Sequence, residues 1–135
     1  DRMYGVALRI TPAQLRAVAA QLYVELLQGG YTQVCEFHYL HHQEDGQPYA
    51  DEATMAWAVA DAAHDAGMGL TVLPVLYERA GFAQPALRPD QRRFAGTPDF
   101  IARLQATVQA SGRPLVNAGV AMSAVRSASP TCLGF

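Results

Sequence analysis

The densest run of chemically capable side chains is His38-Tyr39-Leu40-His41-His42, followed by Glu44 and Asp45. Imidazoles close to carboxylates can hold a divalent metal. Here, however, His38 and His41 leave the end of an expected strand three residues apart, where side-chain directions are not fixed as they are on a helix. The chain has neither a His-x-His pair on a strand nor a His-Glu-x-x-His helix. Loop histidines with hydrogen-bonding roles therefore fit the pattern better than a ligand set. Glu36 sits mid-strand and reads as a buried carboxylate, a helix-facing one or a catalytic acid. Arg126 lies just past the last expected strand, where a guanidinium fork can bind an anion; a solvated loop arginine is the other reading. His64 falls on a helix with an exposed position expected, and Trp57 reads as helix packing.

Other chemistries lack their motifs. Gly-x-Ser-x-Gly is absent, and Gly119-Val120-Ala121-Met122-Ser123 has no second glycine. Gly-x-Gly-x-x-Gly and the phosphate-binding P-loop are missing too, which argues against nucleotide binding. The 135 residues carry a net charge of -2, and Arg92-Arg93 is the only adjacent basic pair. Binding nucleic acid through its phosphates would need a basic excess, so no nucleic-acid partner is expected. No apolar run approaches the roughly 18 residues of a membrane span, so no membrane partner is expected either. Cys35 and Cys132 lack Cys-x-x-Cys spacing and read as two buried free thiols in a reducing cytoplasm. No charged-then-apolar leader precedes them, and a start at Asp1 suggests a processed or excised segment.

The elements that must position these residues follow from local chemistry. Thr11-Pro12-Ala13-Gln14 is a capping box, and Leu15, Val18, Ala19, Leu22 and Leu26 then recur at helical spacing before Gly29-Gly30. Residues 31–39 read as a strand and residues 40–50 as a polar loop. Asp51 caps a second helix with Met55, Val59 and Ala62 inward and Gly67 as its stop. The apolar run from Gly69 to Tyr77 suits a strand buried on both faces, with Pro74 tolerable only near a strand end or bulge. Residues 78–96 read as a loop, Thr97-Pro98 as the cap of a third helix through Ala110, and residues 113–122 as a third strand.

Alternating strands and helices predict a parallel sheet of βα units. Helix-to-strand turns are short and strand-to-helix loops long. Long loops at the carboxyl ends of parallel strands are where α/β folds build their sites. The functional face is thus expected from residues 38–50, 77–96 and 122–130. Three such strands leave apolar edges unpaired. Two solutions are open: an extra strand from Met3 to Ile10, or membership of a larger barrel.

The stretches MYGVALRITPAQLRAVAAQLYVELLQGGYT, EFHYLHH, DGQPYAD, GLTVLPVLY, AGF and QRRF resemble the formimidoylglutamate deiminases of the amidohydrolase superfamily, over roughly residues 2–130. The resemblance implies an α/β fold: a partial (β/α)₈ TIM-barrel segment of three to four βα units with parallel strands, residues 1–135 forming a single incomplete unit. It implies deimination of N-formimino-L-glutamate to N-formyl-L-glutamate and ammonia by a metal-dependent hydrolase, usually with zinc. A metal-bound water provides hydroxide at neutral pH for such an attack. The implied substrate-binding residues are Tyr39, in EFHYLHH, and Arg126, at the arginine of a His-Ser-Leu-Arg run. The family's metal ligands fall outside this chain, so no zinc is expected on these residues alone. A formiminoglutamate-like small molecule is the implied partner, with homo-oligomer formation.

The chain departs from the family at Ser123-Ala124-Val125-Arg126, where serine replaces the substrate-side histidine, and at Gly81-Phe82-Ala83-Gln84, where the family has Gly-Phe-Gly-Gly. Two alternatives therefore stand beside the deiminase. One is a non-catalytic fragment that self-associates through open sheet edges; the other is a different amidohydrolase deaminase.

Overall fold

A computed structural model describes residues 2–81 and 84–123. The parallel alternation holds. The elements are α1 (Arg2–Ala7), α2 (Pro12–Gln28), β1 (Gln33–His38), α3 (Thr54–Ala66), β2 (Gly69–Leu76), α4 (Pro98–Ala110), β3 (Val116–Ala118) and β4 (Ala121–Met122), with a 3-10 helix at Pro89–Phe94. β2 is central: β1 pairs with one edge of it, and β3 and β4 pair in succession with the other, all parallel.

The register puts Val34, Glu36 and His38 beside Leu70, Val72 and Pro74, and Leu70 and Val72 beside Val116 and Ala118. The helices pack on this face. Tyr23 of α2, Ala60, Ala62 and Ala63 of α3, and Leu104 and Val108 of α4 close over Leu70 and Val72. The opposite face carries Cys35 and Phe37 and has no helical cover among the described residues, and Phe37 is 57% exposed. Cys35 is likewise exposed rather than buried, because it alternates onto that face. Cys132 lies outside the described residues.

Local signals set most element ends. Thr11 Oγ1 accepts from Gln14 N at 3.2 Å while Gln14 Oε1 accepts from Thr11 N at 3.0 Å, completing the capping box. Thr97 Oγ1 accepts from Phe100 N in the same way. Asp51 acts three residues ahead of α3 rather than as its cap: its carboxylate accepts from Ala53 N and Trp57 Nε1, and its carbonyl from Thr54. Trp57 is held from the other side by the Arg113 guanidinium, 4.5 Å above its ring.

Only part of the expected stripe of α2 turns inward: Leu15, Ala19 and Leu26 pack on the core. Ala19 and Tyr23 are buried, whereas Val18 and Leu22 are 61% and 46% exposed. The helix is apolar around much of its circumference, and the orientation that wins lets the Tyr23 hydroxyl donate to Glu36 Oε1 at 2.8 Å. Met3–Ile10 is not a strand. Leu8 N and Ile10 N bond to Tyr4 O and Val6 O, so local turns satisfy amides that an extended segment would have to pair elsewhere. The loop between β2 and α4 is partly ordered into the 3-10 helix, with Pro89 opening it.

Pro74 is accommodated at a break in a ladder. Leu70 N donates to Leu115 O, and Gly119 N donates to Val72 O. The next donor in that series belongs to residue 74, which has none, and the pairing divides there into β3 and β4.

Two glycines separate backbone strain from crowding. Gly67 closes α3 at φ 83°, and an added Cβ would meet nothing within 4 Å. Gly67→Ala should cost about 1 kcal/mol, the left-handed backbone alone. Gly46 has φ 85°, and its Cβ would lie 2.7 Å from Arg92 Cβ. Gly46→Ala should therefore cost about 2 kcal/mol or more. Urea denaturation of both variants checks the order; equal losses would mean that the Arg92 contact carries no weight.

Candidate functional site

A cavity of about 550 Å³ opens at the carboxyl ends of β1 and β2. Four of its lining rings form a chain of edge-to-face contacts. Tyr4 of α1 meets Phe94 at 6.0 Å between centroids, Phe94 meets Tyr77 at 6.4 Å, and Tyr77 meets Tyr39 at 6.5 Å. Such geometry sets the positive edge of one ring against the negative face of the next. Hydroxyls complete the lining: Gln91 Nε2 donates to the Tyr77 oxygen at 3.0 Å, and the Tyr39 hydroxyl donates to Ser123 Oγ at 3.4 Å.

Beneath this wall lie the histidines. His38 and His41 are buried, their rings 5.4 Å apart, and His41 and His42 both pack on Phe100 at 5.2 Å. A carbonyl can only accept, so the 3.1 Å contact to Val75 O makes His41 Nε2 the protonated nitrogen and leaves Nδ1 a lone pair. The Nδ1 atoms of His41 and His42 are buried without a partner. Burial pushes the His38 imidazole down to about 3, with neighbouring His41 adding to it. His41 is pushed down to about 4, again chiefly by burial, and His42 is lowered for the same reason. These are neutral imidazoles at pH 7.

Arg93, on the 3-10 helix, is buried at 1% exposure. Its Nε donates to His42 O at 3.0 Å, Nη1 to Ala7 O at 2.9 Å and Nη2 to Ile10 O at 2.5 Å. Its own carbonyl accepts from His41 N and His42 N, each at 3.1 Å. One residue thus joins the α1–α2 connection, the histidine loop and the 3-10 helix.

The residues expected from sequence fare unequally. Tyr39 is on the cavity wall, beside Ser123. Arg126 lies outside the described residues. Glu36 takes the helix-facing role, accepting from Tyr23, although it also lines the cavity. Its presence raises the Tyr23 phenol, after burial itself. The expected segments 38–50, 77–96 and 122–130 supply His38, Tyr39, Tyr77, Phe94 and Ser123 to the cavity. Met3, Tyr4 and Ala7, from α1, come from a segment that the resemblance includes but whose sequence reads as a possible strand and not as part of the functional face. Arg93 likewise had only its place in QRRF to single it out. Among the described residues no three His, Cys, Asp or Glu side chains converge as a metal-ligand set, and His41 Nε2 is already committed to a carbonyl. The described residues therefore do not fit the zinc that the resemblance implies.

The histidines make stability depend on acid. Their folded-state values lie below the ordinary 6.5, so below that pH the unfolded chain binds more protons than the folded one. Their contribution is complete above about pH 6.5 and is lost as pH falls toward 4 and below. The loss should reach about 2 kcal/mol per histidine at pH 5. Urea midpoints measured from pH 7 to pH 5 check this, with His38→Phe expected to flatten the slope.

No protein-family model matches the chain. Formimidoylglutamate deiminase of Pseudomonas aeruginosa is 42% identical over 134 residues, covering 96% of this chain and 29% of that protein. A crystal structure of an amidohydrolase from Brucella melitensis matches with a TM-score of 0.92 at 46% identity, over 98% of this chain and 30% of its own. An atrazine chlorohydrolase mutant from Arthrobacter aurescens TC1, complexed with zinc and atraton, matches with a TM-score of 0.69 over 90% of this chain and 26% of its own. At 20% identity it shares the fold alone. The chain is thus an α/β segment with a parallel sheet, similar over nearly its whole length to about three tenths of formimidoylglutamate deiminase and of the Brucella melitensis amidohydrolase.

Proposed function

We propose that this chain is the substrate-side segment of a metal-dependent hydrolase that converts N-formimino-L-glutamate and water to N-formyl-L-glutamate and ammonia, a step of histidine degradation. The observation that carries the reading is the 42% identity to formimidoylglutamate deiminase over 96% of the chain, with Tyr39 on the cavity wall of that segment. Zinc and its ligands belong, on this reading, to the remaining barrel strands. The cytoplasmic setting and homo-oligomer formation implied by the resemblance are part of the same proposal.

The substrate carries two carboxylates and needs hydrogen-bond donors to hold them. Arg126 supplies a guanidinium fork and Tyr39 a hydroxyl. Ser123 Oγ accepts from the Tyr39 hydroxyl and can donate its own hydroxyl hydrogen to a substrate carboxylate.

One specific observation favours a second reading. Among the described residues β1 is paired on one edge only, and its Phe37 is exposed, which suits a non-catalytic fragment that associates through its sheet. The two readings separate by sequencing the source nucleic acid on both sides. A frame continuing into a His-x-His upstream and further His and Asp ligands downstream supports the deiminase; stop codons on both sides support the fragment.

In the continuous polypeptide, Arg126→Ala should weaken substrate binding by about 2 kcal/mol or more, raising KM for N-formimino-L-glutamate about thirtyfold. Ammonia release measured against substrate concentration reads this directly. An unchanged KM removes Arg126 from the site.

A further inference from the structure

The cavity's walls come from segments far apart in the chain: α1, the loop after β1, and the 3-10 helix. Each ends at Arg93. Ala7 O and Ile10 O, at the end of α1, take the two terminal nitrogens of its guanidinium. His42 O takes Nε, and the His41 and His42 amides return to its carbonyl. Phe94, the next residue, is the ring that stands between Tyr4 and Tyr77.

We infer that Arg93 is a positioning residue for the site: its guanidinium sets the distance between the α1 wall, the Tyr39 wall and the Phe94 wall, and so fixes the aromatic chain that bounds the cavity. The inference rests on reading the cavity as the substrate site. A guanidinium can do this because its N–H groups diverge in a rigid plane, and the three acceptors lie on two separate segments. A lysine ammonium is a point on a flexible stem. It cannot span the same three oxygens, although it preserves charge and much of the length.

Arg93→Lys is therefore the informative variant. In the 135-residue chain, ring-proton NMR resonances of Tyr4 and Tyr39 should shift, while methyl resonances of Leu70, Val72 and Val108, in the helix-covered core, stay in place. The amides of Ile10, His41 and His42 should exchange with solvent at least tenfold faster than in the parent. Unmoved tyrosine rings would overturn the inference, as would core methyls that shift along with them, since that pattern marks general loosening. If the lysine variant does not fold, exchange in the unaltered chain decides. Amides of Ile10, His41 and His42 held by one clamp open together, with protection within threefold of each other; a spread above a hundredfold overturns the clamp.

In the continuous polypeptide, the same variant should raise KM for N-formimino-L-glutamate at least tenfold with kcat within threefold. Absence of any deiminase activity in the unaltered polypeptide would defeat the functional reading alone, because the ring shifts and amide exchange judge Arg93 without it.

Discussion

The pairing of β2 on both of its edges is the interaction from which the rest of the molecule is placed. β1 takes its register from β2, and so do β3 and β4. Three consequences follow from that ladder. Leu70 and Val72 become the floor on which α2, α3 and α4 close. The carboxyl ends of the strands fall together, so that Tyr39, Tyr77 and Ser123, remote in sequence, surround one cavity. Val75 O is brought to His41, fixing the tautomer of a buried imidazole. A parallel sheet buried on its helical face makes such demands on its central strand, and the apolar run GLTVLPVL meets them.

Around that sheet the site is assembled in layers of different character. The innermost is buried: His38 and His41 are neutral because burial disfavours their charged forms, and Phe100 packs against His41. The next is aromatic, four rings in edge-to-face contact with hydroxyls at Tyr39 and Tyr77. Polar capacity is thus concentrated on the cavity wall, while the layer behind it holds shape. Similarity to the deiminase and to the amidohydrolase structure extends over both layers, since it covers almost the whole chain.

How much of this is legible in the sequence depends on how far away the deciding partner lies. Thr11 and Thr97 announce helix starts because their partners are three residues on. Gly67 announces a helix end by its own backbone preference. The parallel alternation and the long loops point to the correct end of the sheet, and EFHYLHH brings attention to Tyr39. Local pattern fails where the partner is remote. Spacing brings Leu15, Ala19 and Leu26 of α2 to the core, but Tyr23 joins them through Glu36 on β1, a partner its own helix does not reveal. Arg93 looks like a surface arginine until Ala7 and Ile10 are brought beside it. Met3–Ile10 is apolar enough for a strand, but its amides find acceptors within the segment itself, and helical turns close instead.

Pro74 has a mechanical consequence. A continuous ladder shares load, so that displacing one end strains every bond along it. The gap opposite residue 74 divides this edge into two blocks, β3 anchored against Leu70–Val72 and β4 against Val75–Leu76. Ser123 follows the outer block directly, and its amide reaches Leu76 O at 3.4 Å. Movement of the cavity wall at Ser123 is therefore resisted by a two-residue strand rather than by the whole sheet. A single missing amide hydrogen acts as a joint, leaving the rim compliant where the core beneath it is stiff.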